Sequence, residues 1–210
     1  MKKILIVGAG GFGREVYNWI KDSREKYPDW QVMGFLDDNL SALREYNYEV
    51  DVVSTISEYQ PQDDEYLVMA IGTPRIKYKL ANVLRDKGAK FETFIHRTSI
   101  IGKNVKIGLG SVLCPNSIIT CDANIGEFVT INCGSGTGHD ASVGDYSTLS
   151  GKVDVTGFAK VGKRVSIGSS ACVLPGVIIG DDSVIGAGSV VVRNVREGST
   201  VFGNPAKYIK

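Results

Sequence analysis

Histidine occurs twice in the 210 residues, as His96 and His139, so imidazole chemistry has two candidates. His96 lies in Phe94-Ile95-His96-Arg97, where packing or capping is the simpler use. His139 differs: it follows Cys133-Gly134-Ser135-Gly136-Thr137-Gly138 and precedes Asp140. A neutral imidazole takes up a proton, and an adjoining carboxylate fixes its tautomer and stabilises the imidazolium. With an accessible backbone N–H to receive an oxyanion, such a pair suits acyl transfer. A zinc site of the carbonic anhydrase type needs three histidines around one ion, and two so far apart do not supply them.

A second group suggests nucleotide chemistry. The apolar run Lys3 to Val7 leads into Gly8-Ala9-Gly10-Gly11-Phe12-Gly13, which fits G-x-G-x-x-G, and a helix-compatible span from 14 to 26 follows. Glycines let the backbone approach phosphates at a helix N-terminus, and Asp37, which with Asp38 ends a second strand at Gln31 to Leu36, is placed to accept from a ribose or base. A nucleotide-sugar site, an NAD site and a purely structural turn all fit this motif. The segment is too short for two mononucleotide-binding halves, and no dehydrogenase-type catalytic domain follows.

These residues need two different scaffolds. For the first, a strand at Tyr66 to Ile71, a turn at Gly72-Thr73-Pro74, a helix at Arg75 to Lys87 and a strand at Phe91 to Ile95 complete a small α/β domain of Rossmann character, residues 1–95. The second, residues 96–210, is a six-residue repeat. From Ile101 to Val191 every sixth residue is aliphatic except Thr137, and four places after each stands a small or branched residue, such as Val105, Ser111, Ser117 and Ala123. A period of six fits neither a helix nor simple alternation; it fits a short strand and a tight turn, three to a triangular coil, and predicts a parallel β-helix of about five plain coils. Residues 18 apart then lie over one another, which sets Gly157 one rung from His139 and supplies the N–H that acyl transfer requires. Thr137, where the aliphatic series breaks, marks the neighbourhood of function.

Composition excludes other classes. A net charge of +1 leaves no footprint for nucleic acid or an anionic membrane. The apolar stretch after Met1-Lys2-Lys3 is short and runs into glycines without a cleavage-like site, so it reads as a strand and not as a secretory signal. Cys114, Cys121, Cys133 and Cys172 form no C-x-x-C pair, which favours free thiols in a reducing cytoplasm and no structural zinc.

Taken together, Gly8 to Gly13 with Arg14-Glu15-Val16, Phe35-Leu36-Asp37-Asp38, the hexads, Gly138-His139-Asp140 and the closing Val201-Phe202-Gly203-Asn204-Pro205-Ala206-Lys207 resemble the NeuD/PglD-type sugar O-/N-acyltransferases over nearly the whole chain. The resemblance implies a left-handed β-helix, a homotrimer and acetyl-CoA held between neighbouring solenoids. It makes His139 the general base, Asp140 its partner and the Gly157 N–H the donor to the thioester oxygen. Backbone at Ser169 and Ala187 would line the pantetheine arm, and the turn at Gly203, Asn204, Pro205 and Lys207 the adenine end. Asn132 and Thr148 would lie near the sugar, with Gly8, Gly10, Gly11, Phe12, Gly13, Asp37, Asp38 and Gly72 forming the nucleotide pocket. Two departures stand out: many members have a second histidine where this chain has Thr148, and some read Gly-His-Gly where it has Gly11-Phe12-Gly13.

The expected reaction is direct acetylation of the amine of a nucleotide-linked amino sugar for surface glycans, without a metal. O-acetylation of a sugar hydroxyl, as on sialic acid, uses the same base; a non-catalytic nucleotide-sugar scaffold and a hydride-transferring enzyme are the readings from other classes.

Overall fold

The computed structural model describes residues 1–209. Strand β1 (Lys2–Val7) is the centre of a five-stranded parallel sheet with β2 (Trp30–Leu36), β3 (Val52–Ser54), β4 (Glu65–Met69) and β5 (Lys90–Phe91), in the order β3-β2-β1-β4-β5. Helix α1 (Gly11–Asp22) buries Gly13, Val16, Tyr17 and Ile20, a helical stripe. It ends before the expected residue 26, as the chain turns back at Ser23 and the Lys26 N–H bonds to the Ser23 carbonyl at 2.9 Å. Helix α2 (Pro74–Asp86) buries Pro74, Lys77, Ala81 and Leu84; a lysine occupies the second place in an otherwise apolar stripe.

Two strands differ from the sequence reading. The strand expected third in order is the fourth, because Val52–Ser54 pairs with β2 although three residues are too few to show alternation. The expected strand at Phe91 to Ile95 divides. Lys90–Phe91 closes the α/β sheet, whereas β6 (Phe94–Ile95) pairs with Val112 and Leu113 in the first coil of the solenoid.

The rest is a parallel solenoid of two-residue strands in three sheets of six, five and eight strands. Its register is 18 residues up to Val191: Ile119 pairs with Thr137, Thr137 with Val155 and Val155 with Val173. In the closing coil it shortens to 16, Ile185 pairing with Val201. The expected aliphatic series fills the lumen, with Ile131, Leu149, Val155 and Ile167 all fully buried. From Asn104 to Gly188 every sixth residue has φ between +53 and +74°, so each corner turns through the left-handed region. Glycine, Asn and Asp tolerate that conformation, yet Phe128, Tyr146 and Phe158 also adopt it. Thr137 does face inward, 3 % exposed, and its Oγ1 finds no hydrogen-bond partner.

The two parts share cores. The cluster on one side of the α/β sheet continues into Phe94, Val112 and Cys114, and the cluster on the other into Phe128 and Tyr146. On the second side α2 lies along one solenoid corner. The Phe128 and Tyr146 rings stack there at 5.3 Å and 3°, Tyr78 meets Tyr146 edge-on at 5.0 Å, and Arg85 covers the Phe128 ring at 4.6 Å.

Candidate active site

His139 and Asp140 form the turn between the strand Gly136–Thr137 and the strand Ser142–Val143. Asp140 holds the corner's left-handed conformation, φ 59°, and its Oδ2 lies 2.9 Å from His139 Nδ1. A carboxylate only accepts, so Nδ1 carries the proton and Nε2 keeps its lone pair. Nε2 faces Gly157: a Cβ built there would lie 2.8 Å from it and 3.0 Å from Cε1. The 18-residue stacking thus puts the imidazole against the one residue type that leaves it room. Phe158 packs edge-on to the imidazole, centroids 4.9 Å apart at 90°, and its N–H bonds to the His139 carbonyl at 2.9 Å. The pair remains open to solvent, with side chains 54 % and 46 % exposed, as a base that must meet a substrate requires.

The turn position occupied by His139 recurs every six residues, and its N–H lies outside the coil-to-coil ladder. At Glu127 and Lys163 that N–H is taken by Asp145 and Asp181. At Gly157, Ser169 and Ala187, as at Leu109, Cys121, Gly151 and others of the series, it has no partner among the described residues and is free for a ligand. Gly157 shares the catalytic corner, whereas Ser169 and Ala187 stack on another, where a Cβ on Gly168 would meet the Ala187 nitrogen. A notch of about 270 Å³ on the face between them is bounded by Ile118, Gly136, Gly138 and Asp154.

A cavity of about 590 Å³ lies elsewhere. It lies between the α/β domain and the eight-stranded face, with Phe12 and Glu15 from α1, Gly72 to Arg75 at the start of α2, and Thr130, Asn132, Thr148, Ser150 and Ser166 from the solenoid. Both helices start here without a side-chain cap, at Gly10 and Thr73, so their first N–H groups and positive ends are uncovered. Arg164 holds Asp182 at 2.6 Å along the wall, and Arg75 reaches the same carboxylate at 3.5 Å. His139 is not part of this cavity.

The expected nucleotide residues therefore fall into groups. Phe12, Gly72, Asn132 and Thr148 line the cavity. Gly8 and Gly13 make the turn itself: Gly8 has φ +99°, and a Cβ on Gly13 would strike the Gly8 carbonyl. Gly10 and Gly11 border open space. Asp37 is engaged within the chain, accepting from Ala9 N at 2.8 Å and Asn39 N at 2.9 Å, and Asp38 accepts from Ile56 N at 3.1 Å. Both carboxylates brace the loops around the glycine turn. Thr148 is also tied into the fold. Only 7 % exposed, it gives its hydroxyl proton to the Gly72 carbonyl at 2.7 Å and accepts from Lys77 at 2.9 Å, so the side chain at the family's second-histidine position is committed to holding the fold. The C-terminal turn of Gly203, Asn204 and Pro205 caps the last coil, with Gly203 N on Ser189 Oγ at 3.1 Å and Lys207 in the closing antiparallel strand. His96 is a packed residue, 3 % exposed between Asp22 and Thr98, and burial pushes its pKa down.

Sequence reasoning passed over Glu15, Lys77, Thr130, Ser150, Arg164, Ser166 and Asp182. The 18-residue rule finds three of them, since Thr148 leads to Thr130 and Ser166 and Asn132 leads to Ser150. Lys77 had its own signal as a cation in the apolar stripe of α2.

Comparison with known proteins matches residues 3–84 to the PglD N-terminal domain and residues 158–193 to the bacterial transferase hexapeptide family. GDP-perosamine N-acetyltransferase of Escherichia coli O157:H7 is 30 % identical over 212 residues, covering 98 % of this chain and 95 % of that protein. Among solved structures, WeeI from Acinetobacter baumannii AYE superposes with a TM-score of 0.88 at 30 % identity, all of both chains being covered. PerB from Caulobacter crescentus, solved with CoA and GDP-perosamine, superposes with a TM-score of 0.89 at 29 % identity over 100 % of this chain and 98 % of that one. Variants of the Caulobacter enzyme altered at one histidine were solved with the same two ligands.

Proposed function

We propose a mechanism from one premise: the chain belongs to the PglD/NeuD-like family of hexapeptide-repeat acetyltransferases, which share a left-handed solenoid, and it is an acetyl-CoA-dependent N-acetyltransferase of a nucleotide-linked amino sugar. The observation that carries the mechanism is the His139 imidazole, tied through Nδ1 to Asp140 with Nε2 against Gly157. Nε2 takes a proton from the acceptor amine as nitrogen attacks the thioester carbonyl. The Gly157 N–H receives the oxyanion of the tetrahedral intermediate, which collapses to the amide and expels the CoA thiolate. Asp140 stabilises the imidazolium until that proton passes to the leaving sulfur. Proton transfer by a placed base is worth about a hundred- to ten-thousand-fold and one oxyanion donor about a hundred- to a thousand-fold.

The free N–H groups of Ser169 and Ala187 fit the amides of a pantetheine arm, and the turn at Gly203 to Lys207 its adenosine end. The cavity fits the nucleotide, with Asn132 toward the sugar. In one chain these sets lie on different corners of the solenoid, so the site is completed by a neighbouring copy around a threefold axis. Support comes from Ile100 and Ile118, 60 % and 46 % exposed on the face beside the notch, where the solenoid presents apolar surface. GDP-perosamine, on which two of the relatives act or to which they bind by name, is the first acceptor to try. Among the described residues no helix is long and apolar enough to cross a membrane; the free cysteines fit a reducing compartment such as the cytoplasm.

Mass spectrometry after incubation with acetyl-CoA and a panel of GDP-, UDP- and dTDP-linked amino sugars tests this reading. A single added acetyl group on one sugar nucleotide is expected. Acetylation of free sialic acid alone would replace the amine acceptor with a hydroxyl.

A further inference from the structure

Lys77 is fully buried, yet makes no ion pair among the described residues. Its ammonium is surrounded by neutral oxygens: Thr130 Oγ1 at 2.8 Å, Thr148 Oγ1 at 2.9 Å, the Phe128 carbonyl at 3.0 Å and the Ser147 carbonyl at 3.2 Å. Two of those atoms belong to residues that line the cavity, Thr130 and Thr148. A third step extends the chain outward: Thr148 passes its proton to the carbonyl of Gly72, at the cavity mouth and the start of α2. One side chain thus ties α2, two adjacent coils and the cavity floor together.

We propose that Lys77 is a positioning residue for an anionic acceptor, orienting Thr130 and Thr148 from beneath the cavity floor and presenting a buried positive charge to the ligand above them. The inference rests on reading the cavity as the nucleotide-sugar site. A structural strut needs hydrogen-bond donors and no charge: a neutral amine still donates to the buried Phe128 carbonyl, so only an anion nearby calls for the ammonium. An anion in the cavity supplies the missing counter-charge, across one layer of hydroxyls.

Burial pushes the Lys77 pKa down to about 7, with the Cys114 thiol acting against that shift. The charged and titratable groups around it and the cavity are Arg75 and Arg85 on the same helix, Cys114, Cys133, Tyr146, Arg164 and Asp182 on the solenoid, Asp182 being paired with Arg75 and Arg164, and Glu15 on α1, which acts on both thiols. Without ligand Lys77 is therefore mostly neutral at pH 8, and an anion above the floor raises its pKa, so binding draws in a proton. Cys133, also held near 7 through its hydrogen bond with Cys114, is the competing source and must be removed as a variable.

The test is calorimetry at pH 8 with the amine-free probes GDP-mannose, UDP-glucose and dTDP-glucose, in buffers of different ionisation enthalpy. Uptake of close to one proton per site, retained in Cys133→Ser and lost in Lys77→Met, is expected. Affinity of the native protein should weaken about tenfold for each pH unit between 7 and the pKa of the liganded state, and that of Lys77→Met should be flat. Binding with no proton uptake by the native protein overturns the role of Lys77 and leaves the nucleotide site standing, whether or not the variant folds. Failure of the native protein to bind any of the probes overturns both. Lys77→Met that binds as native does, with the same uptake, overturns the proposal alone.

Discussion

Two corners of the solenoid share one backbone and have opposite fates. At the catalytic corner the left-handed positions are Asn104, Asp122, Asp140, Phe158 and Gly176; at the docking corner they are Gly110, Phe128, Tyr146, Arg164 and Asp182. The repeat fixes φ at both, but the side chains there point away from the lumen and are free of its packing rule. One corner leaves Phe158 57 % exposed beside an open imidazole, and the other buries Phe128 completely beneath α2. The hexad therefore provides geometry, and its corner residues decide whether that geometry meets a substrate or a domain.

The largest effect should come from the catalytic corner. His139→Ala is expected to lower kcat about a hundred- to ten-thousand-fold with acetyl-CoA affinity retained, measured by a thiol-release assay and calorimetry. Near-native turnover would remove His139 from the mechanism. Gly157→Ala should cost about a hundredfold without unfolding the protein, because the new Cβ lies 2.8 Å from Nε2 and displaces the base. Unchanged kcat there would mean that the imidazole works from another position.

At the docking corner the same kind of substitution should be read in stability instead. Phe128→Ala removes a fully buried ring packed on Tyr146, Phe91 and Arg85, and should cost about 3–5 kcal/mol in denaturant unfolding. Phe158→Ala, at the equivalent position one corner away, should stay within about 1 kcal/mol and show its effect in kcat through the His139 ring. Equal losses in both would mean that the corners do not differ as their burial suggests.

This contrast also explains what could be read from the sequence. The lumen was legible because burial repeats every six residues, and stacking follows as arithmetic, so His139 over Gly157 required no coordinates. The docking corner was less so: Phe128 and Tyr146 are 18 apart, but nothing local says that α2 covers them. Val52–Ser54 was missed because three residues carry no period, and Phe94–Ile95 joined the wrong sheet because a buried strand reads alike in either. Thr148 was placed correctly in the fold, yet its hydroxyl proton goes to Gly72, a partner 76 residues away.

Lys77 beside the docking corner should also give stability a pH signature. The folded-state pKa of Lys77, about 7, lies below its ordinary 10.5, so between those values the unfolded chain binds more protons. The Lys77 contribution therefore makes the protein more stable as pH rises from about 7 toward 10.5, and below 7 its penalty is fully present. Chemical denaturation across that window should show a slope that Lys77→Met makes less positive; an identical slope in the variant would place the ammonium in a better solvated setting than its burial implies. His139→Ala should leave the slope alone.

The smallest effect separates the lumen from both corners. Thr137 breaks the aliphatic series next to His139, and a break in a repeat invites a functional reading. Its hydroxyl, however, points into the prism, 3 % exposed and without a partner, while the imidazole turns outward to Gly157. A buried hydroxyl left unpaired costs about 1–3 kcal/mol, and valine has nearly the same shape. Thr137→Val should then raise stability by about 1 kcal/mol with kcat within about twofold. Should stability rise while kcat collapses, the polar lumen position would be part of the catalytic corner, and the division between a packed interior and a working surface would move inward by one residue.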